Sequence, residues 1–203
     1  MGTDNGVIVV AYGGKAVTEA EAMIGSLRQY HDWPVMAISD SPVEGADMIW
    51  RFDRPGWGAR WAKLNQDQLA PWDRWLYLDA DTRVKGDLSA GFDILDDGWD
   101  MAITASKHQQ TNWLWQASDE ERAATYSRPA ILLSLQGGVF YVRRCERILQ
   151  FFETWRTEWQ RFAHVDQAAL VRAIQICPIR LWLLGRAYNG GELVDHRFGR
   201  AVR

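Results

Sequence analysis

The stretch Trp75-Leu76-Tyr77-Leu78-Asp79-Ala80-Asp81-Thr82 constrains the fold more than any other, because a run of strand-forming apolar residues stops at two carboxylates separated by one residue. Apolar residues at consecutive positions mark a strand buried on both faces, the situation in a mainly parallel sheet covered by helices. Such sheets hold ligands outside the carboxyl ends of their strands, so this run delivers acid to the edge where a site belongs. In extended backbone, residues i and i+2 share a side, and Asp79 and Asp81 are expected to converge on one cation or one polar ligand. Carboxylates that close repel unless positive charge or a shared proton lies between them, and hard oxygen donors suit Mg²⁺ or Mn²⁺. The spacing equally fits a plain turn in which Thr82 makes a local bond.

The neighbouring segments supply the rest of such a sheet. Val7 to Tyr12 is a second continuous apolar run, ended by Gly13-Gly14, and is expected to be a central strand. Thr18-Glu19-Ala20-Glu21 has the form of a capping box, and Val17, Ala20, Met23, Ile24, Leu27 and Tyr30 recur at helical spacing, predicting a helix over residues 18–30. Pro34 to Ile38, followed by Ser39-Asp40, and Asp47 to Phe52 are predicted strands, and strand, helix, strand implies parallel pairing. A helix is expected from Ala59 to Leu69, ending before Pro71 and leading into the acidic strand.

Beyond that strand, Gly86 to Leu95 reads as a short helix or turn and Met101 to Thr104 as a strand. Ser106 to Pro129 is polar, carries aromatics and has weak periodicity, so it is expected to be an excursion from the core. Its Trp113 and Trp115 suit either packing or stacking on an acceptor. Leu135 to Val142 begins a strand with Gly137 and Gly138, where the lack of a Cβ admits close approach of a backbone or ligand. Ile148, Leu149, Phe152, Trp155, Trp159 and Phe162 mark a long amphipathic helix, and His164-Val165-Asp166-Gln167 opens another with Asp166 at or near its N-cap.

A chain of 203 residues is expected to form one domain. Within it, 7–105, which holds the acid pair, and 106–203, which ends in a basic tail, are expected to form two halves. The 23 Lys and Arg against 26 Asp and Glu give a formal charge of −3, without the basic footprint of a nucleic-acid binder. Two cysteines, Cys145 and Cys177, are too few for a disulfide framework or a thiolate zinc site. With no apolar run of about 18 residues and no basic-then-apolar leader, a cytoplasmic location is expected. The 12 Trp fit core packing and sugar-stacking platforms alike. Arg180, Arg186, Arg197, Arg200 and Arg203 outnumber Glu192 and Asp195 toward the C-terminus, which suits contact with an anionic ligand or with the inner membrane face.

Together these features resemble the nucleotide-sugar glycosyltransferases of the GT-A fold, most closely family 8, which includes glycogenin and bacterial lipooligosaccharide galactosyltransferases. The resemblance spans residues 7–200 and rests chiefly on Leu76 to Thr82, matching a strand that ends in Asp-x-Asp-Thr. It implies an α/β, Rossmann-like domain whose mainly parallel sheet is flanked by helices, and an enzyme that takes a nucleotide-sugar donor, UDP-linked and used with retention, to a glycan, lipid-linked glycan or protein acceptor. It implies Mn²⁺ or Mg²⁺ held by Asp79, Asp81 and His196, and a donor lined by Ala11, Tyr12, Gly13, Asp40, Arg60, Lys63, Asp79, Ala80, Gly137, Gly138, Gly199 and Arg200. Asp166 and Gln167 match the family's Asp-Gln pair beside the reacting carbon. Gln136 stands where the family usually has Asn, and Arg200 where it has Lys.

Two other readings share some of these residues. A haloacid-dehalogenase-like phosphotransferase also places Asp-x-Asp after an apolar strand, but on its earliest strand, whereas at least three strand-like segments precede Asp79. A catalytically idle nucleotide-sugar binder would keep the fold without turnover.

Overall fold

The computed structural model describes residues 5–51, 58–106, 114, 117–127 and 133–197. Its strands are β1 (Asn5–Ala11), β2 (Val35–Ser39), β3 (Met48–Arg51), β4 (Arg74–Leu78), β5 (Thr82–Val84), β6 (Met101–Ala105), β7 (Leu135–Arg143), β8 (Leu181–Leu184) and β9 (Val194–His196). Its helices are α1 (Gly14–Leu27), α2 (Ala59–Leu64), α3 (Gln66–Leu69), α4 (Ala90–Asp96), α5 (Asp119–Tyr126), α6 (Glu146–Gln160) and α7 (Asp166–Ile176).

Seven strands form one sheet in the order β3-β2-β1-β4-β7-β6-β8, while β5 and β9 form a separate antiparallel pair. The β1–β2, β2–β3, β1–β4 and β6–β8 pairings are parallel, and only β7 runs against its neighbours. The expected α/β architecture is therefore present, with the β3-β2-β1-β4 half in the arrangement that places sites at strand carboxyl ends. Alternate residues of β1 and β4 enter two cores. Ile8, Val10, Trp75 and Tyr77 pack with Phe151, Phe152, Trp155 and Leu170 of α6 and α7. Val7, Val9, Leu76 and Leu78 pack with Met23, Ile24 and Leu27 of α1 and Phe92 of α4 on the other face. Burial on both sides is why these strands read as unbroken apolar runs.

Several boundaries differ from expectation. The capping-box residues lie inside α1, which begins at Gly14, and the Thr18 hydroxyl donates to the Gly14 carbonyl at 3.1 Å rather than capping the helix. The N-cap is Gly13, whose φ of 85° suits a residue without a Cβ. The single helix expected over 59–69 is broken at Asn65, whose side-chain amide donates to the Trp61 carbonyl at 2.6 Å. Local competition of this kind is why Asn disfavours helix interiors. In the expected excursion, α5 is a helix that weak periodicity did not reveal; its N-cap Ser118 accepts from the Glu121 N–H at 3.1 Å. Trp113 and Trp115 lie outside the described residues.

The helices that bear the site are pinned by polar contacts. Trp75 donates to Gln66 at 2.8 Å, tying α3 to β4. Arg144 donates to the carbonyls of Asp67 at 2.7 Å and Ala70 at 2.6 Å, satisfying groups at the end of α3. The α5, α6 and α7 helices meet at Arg172, which is fully buried and paired with Glu121 at 3.2 Å and Glu158 at 2.7 Å.

Candidate active site

Strand β4 ends at Leu78, and Asp79 to Asp81 form a turn: the Thr82 N–H and hydroxyl both bond the Asp79 carbonyl, at 3.1 and 2.8 Å. The two carboxylates do converge, but through this turn and not through extended backbone as the i, i+2 spacing suggested. The turn leads directly into β5, where Thr82 pairs with His196 of β9. Sequence neighbours of the acid pair thus bring in a histidine more than a hundred positions away. Ligand atoms of Asp79, Asp81 and His196 all lie within 4.8 Å of one another. The His196 Nε2 atom is 3.2 Å from Asp81 and 3.7 Å from Asp79.

Gly138 makes this approach possible. A Cβ at that position would lie 2.2 Å from His196 Cε1 and 2.7 Å from an Asp79 carboxylate oxygen. The backbone at Gly138 also accepts the Asp79 N–H at 2.8 Å, so the same residue anchors the acid and leaves room for its side chain. Tyr77, on the strand itself, donates to Asp79 at 2.7 Å. Burial and the neighbouring Asp79 carboxylate push the Tyr77 pKa well above that of an ordinary tyrosine, which keeps the hydroxyl a donor. Two carboxylates and one imidazole facing a common point are a donor set that could hold a divalent metal ion.

Beside the cluster lies a cleft of about 370 Å³ lined by Val10, Gly58, Ala59, Arg60, Lys63, Tyr77, Asp79 and Asp166. Lys63 bridges its two sides, 3.1 Å from Asp166 and 3.6 Å from Asp79, and Arg60 is 3.8 Å from Asp166. Burial disfavours the Lys63 ammonium, but Asp166 and Asp79 outweigh it and hold the pKa above the ordinary lysine value. Burial likewise disfavours the Asp166 carboxylate, yet Lys63 and Arg60 hold its pKa below the usual range. The cleft therefore presents the ionised Asp166 carboxylate with Lys63 and Arg60 beside it as cations, next to the Asp79, Asp81 and His196 cluster.

The other predicted residues fall at the same edge. Ala11 ends β1 beside Ser39 of β2, and the Gly13 N–H donates to both Asp40 oxygens at 3.1 Å, which brings Tyr12, Gly13 and Asp40 together. Ala80 sits in the acid turn, where its carbonyl accepts from Arg83 at 3.3 Å. Gly137 lies opposite Lys63, whose Nζ would be 3.4 Å from a Cβ placed there. Gln167 does not line the cleft; its amide donates to the Leu135 carbonyl at 2.6 Å and to Ser134 at 3.2 Å, fastening the start of α7 to β7. Gly199 and Arg200 lie outside the described residues; the Arg197 N–H bonds the Asp81 carbonyl at 3.1 Å. Sequence reasoning did not single out Tyr77 as the partner of Asp79 or Asn189 as the partner of His196. Asn189 sits in an Asn-Gly-Gly stretch that reads only as a turn.

The site thus lies where the parallel β3-β2-β1-β4 half of the sheet meets the reversed strand β7, with the Asp-Asp-His cluster just past the carboxyl end of β4. No protein-family model matches the sequence, and no curated protein does. Solved structures do: the bifunctional glycosyltransferase WbbM superimposes with a TM-score of 0.66 at 16% identity over 92% of this chain. Mouse xyloside xylosyltransferase 1 gives 0.62 at 12% identity, covering 92% of this chain and 87% of its own. The galactosyltransferase LgtC, solved with donor and acceptor sugar analogs, gives 0.61 at 11% identity, covering 91% and 74%. The chain spans 40% of the length of the WbbM chain. The fold is that of GT-A glycosyltransferases, as the resemblance implied. No helix among the described residues is long and apolar enough to cross a membrane.

Proposed function

We propose that the chain is a metal-dependent glycosyltransferase that moves a sugar from a nucleotide-diphosphate sugar, UDP-linked in the first instance, to an acceptor hydroxyl with retention. The observation that carries this reading is the joining of the Asp79, Asp81 and His196 cluster to a cleft holding Lys63, Arg60 and Asp166, on a GT-A fold. When bound by Asp79, Asp81 and His196, Mn²⁺ or Mg²⁺ supplies Lewis-acid stabilisation of the charge that develops on the departing diphosphate.

The chain's own residues divide the remaining work. Ala11, Tyr12, Gly13 and Asp40 take the nucleoside end, while Ala80, Gly137 and Gly138 offer backbone along the donor. Lys63 and Arg60 face the cleft as cations, and the family resemblance assigns Gly199 and Arg200 to the diphosphate. As the bond from the anomeric carbon to the diphosphate oxygen lengthens, the sugar gains oxocarbenium character. Asp166 is a carboxylate kept ionised by its cationic neighbours, which suits it to stabilise that charge. Gln167 holds the start of α7, and with it Asp166, against β7. The acceptor is a glycan, a lipid-linked glycan or a protein; contact of the basic tail with the inner membrane face belongs to the lipid-linked case.

Placement of the acid pair on the fourth strand, and a histidine brought in by β9, leave the phosphotransferase reading without support. The idle binder is separated by experiment. Nucleotide diphosphates are screened by thermal shift with and without Mn²⁺, and nucleotide sugars are then followed for metal-dependent release of the diphosphate. Stabilisation by UDP that needs Mn²⁺, with turnover of a UDP-sugar, is the expected outcome. Binding without turnover would favour the idle binder, and no metal-dependent binding of any nucleotide diphosphate would overturn the proposal.

A further inference from the structure

The ladder between β6 and β7 is interrupted beside the site. Ile103 pairs with Phe140, but the next residue, Thr104, pairs with Gln136, so 137–139 are passed over on the β6 side. There β7 follows β4 instead: Val139 pairs with Leu78, and the Gly138 carbonyl takes the Asp79 N–H. Asn189, only 7% exposed, reaches the pair that flanks the irregularity. Its amide nitrogen is 3.1 Å from Thr104 Oγ1 and 3.5 Å from the Gln136 carbonyl, and its amide oxygen is 2.6 Å from His196 Nδ1.

The roles follow from which atoms can donate. A backbone carbonyl only accepts, so the side of Asn189 facing Gln136 is its NH₂, and Oδ1 is left facing the imidazole. An amide oxygen also only accepts, so His196 Nδ1 carries the proton and donates to it. With Nδ1 engaged as the donor, Nε2, which faces Asp79 and Asp81, is the nitrogen left to give its lone pair to a cation when one is bound there. Asn189 is itself held by its N–H to the Arg186 carbonyl at 3.1 Å, at the end of a short 3₁₀ turn. The following Gly190 and Gly191 return to the Val194 carbonyl at 2.8 and 2.9 Å, closing the loop that leads into β9.

Resting on the metal-site part of the proposed function, we infer that Asn189 is the positioning residue of that site: it fixes the ring orientation and tautomer of His196, held by Thr104 and Gln136 at the register shift between β6 and β7. Asn189 acts through His196 and touches neither donor nor acceptor. Removing the amide leaves His196 free to rotate and to place its proton on Nε2, where it cannot ligate.

The test uses Mn²⁺ alone, with free Mn²⁺ followed by electron paramagnetic resonance, on the full chain and on Asn189→Leu and Asn189→Asp. The parent is expected to bind Mn²⁺. Asn189→Leu is expected to bind it on the order of 10- to 100-fold more weakly, the usual effect of losing such a partner. Asn189→Asp keeps an acceptor at the same place and is expected to stay within a few fold of the parent. Independently, ¹⁵N–¹H correlation spectra of the parent saturated with diamagnetic Mg²⁺, assigned by loss of the signal in His196→Gln, should show His196 protonated at Nδ1 alone. A Mg²⁺-saturated parent ring protonated at Nε2 overturns the inference even if Asn189→Leu does not fold. Unchanged Mn²⁺ affinity in a folded Asn189→Leu overturns it while leaving the metal site standing. Failure of the parent to bind Mn²⁺ removes the metal-site reading and this inference with it.

Discussion

Gly138→Ala replaces one hydrogen by a methyl group at the point where β7, Asp79 and His196 meet. The new Cβ would lie 2.2 Å from His196 Cε1, 2.7 Å from Asp79 Oδ2 and 2.8 Å from His196 Nδ1. Carbon atoms pack at about 3.5 Å or more, so the imidazole must retreat by roughly 1.3 Å. Metal–ligand distances tolerate about 0.2 Å, and a displacement several times larger removes His196 from the donor set. The loss in Mn²⁺ affinity is therefore expected to be on the order of 100-fold. Stability should fall by about 1–3 kcal/mol through overpacking, less the few tenths to about 1 kcal/mol recovered from the stiffer unfolded chain. Gly137→Ala is the matched control: its Cβ would meet only the flexible end of Lys63, at 3.4 Å. Mn²⁺ titration with chemical denaturation of parent and both variants reads both effects. If Gly138→Ala bound Mn²⁺ within about threefold of Gly137→Ala, the packing argument for this site would be wrong.

Asp81→Ala should abolish Mn²⁺-dependent UDP binding with the thermal transition of the metal-free protein unchanged, since Asp81 belongs to the site and not to the core; persistence of that binding would remove Asp81 from the ligand set. Asp166→Asn should retain metal-dependent UDP binding and lose sugar transfer, because it removes the carboxylate beside the cleft but none of the three metal-cluster residues; full transfer activity in the variant would assign Asp166 a packing role. Arg172→Met leaves the buried carboxylates of Glu121 and Glu158 without their cation and should cost about 3–5 kcal/mol by urea denaturation, whereas replacing all three by apolar residues should cost far less; equal losses would refute the account. Asp100 is fully buried and bonded to Arg147 at 2.8 Å and to the Arg180 N–H at 2.9 Å; burial acts to raise its pKa, but these partners outweigh it and hold the value below that of a free carboxyl. Its folded pKa is depressed, so its stabilising contribution is present above the unfolded value and fades as pH falls below about 3.8 toward the folded one; Asp100→Asn should flatten the dependence of stability on pH in that acid range, and equal slopes for parent and variant would refute it.

The presence of the main strands, the two-sided burial of β1 and β4, and the placing of acid at a strand end were legible in the sequence because they depend on local periodicity. A continuous apolar run has few alternatives to a central strand, and the length of the run bounds the element. The closeness of the two carboxylates was legible from their spacing, although that spacing fitted a plain turn equally well. What local pattern could not reveal was how the pair is compensated. The turn at Asp79 to Asp81 leads into the β5–β9 pairing that brings in His196, and that pairing and the contacts of Asn189 at the β6–β7 register shift each join residues far apart in the chain. Nothing in the Asn189-Gly190-Gly191 stretch distinguishes a loop turn from a metal-site support. The same holds for Arg172, which reads as a polar residue on the amphipathic α7 helix. It is a buried cation only because α5, formed from a segment of weak periodicity, lays Glu121 against it opposite Glu158. Periodicity acts over a few residues and fixes elements; the ion pairs, gaps and tautomers of the site depend on which elements pack together, and that is set only when the whole sheet closes.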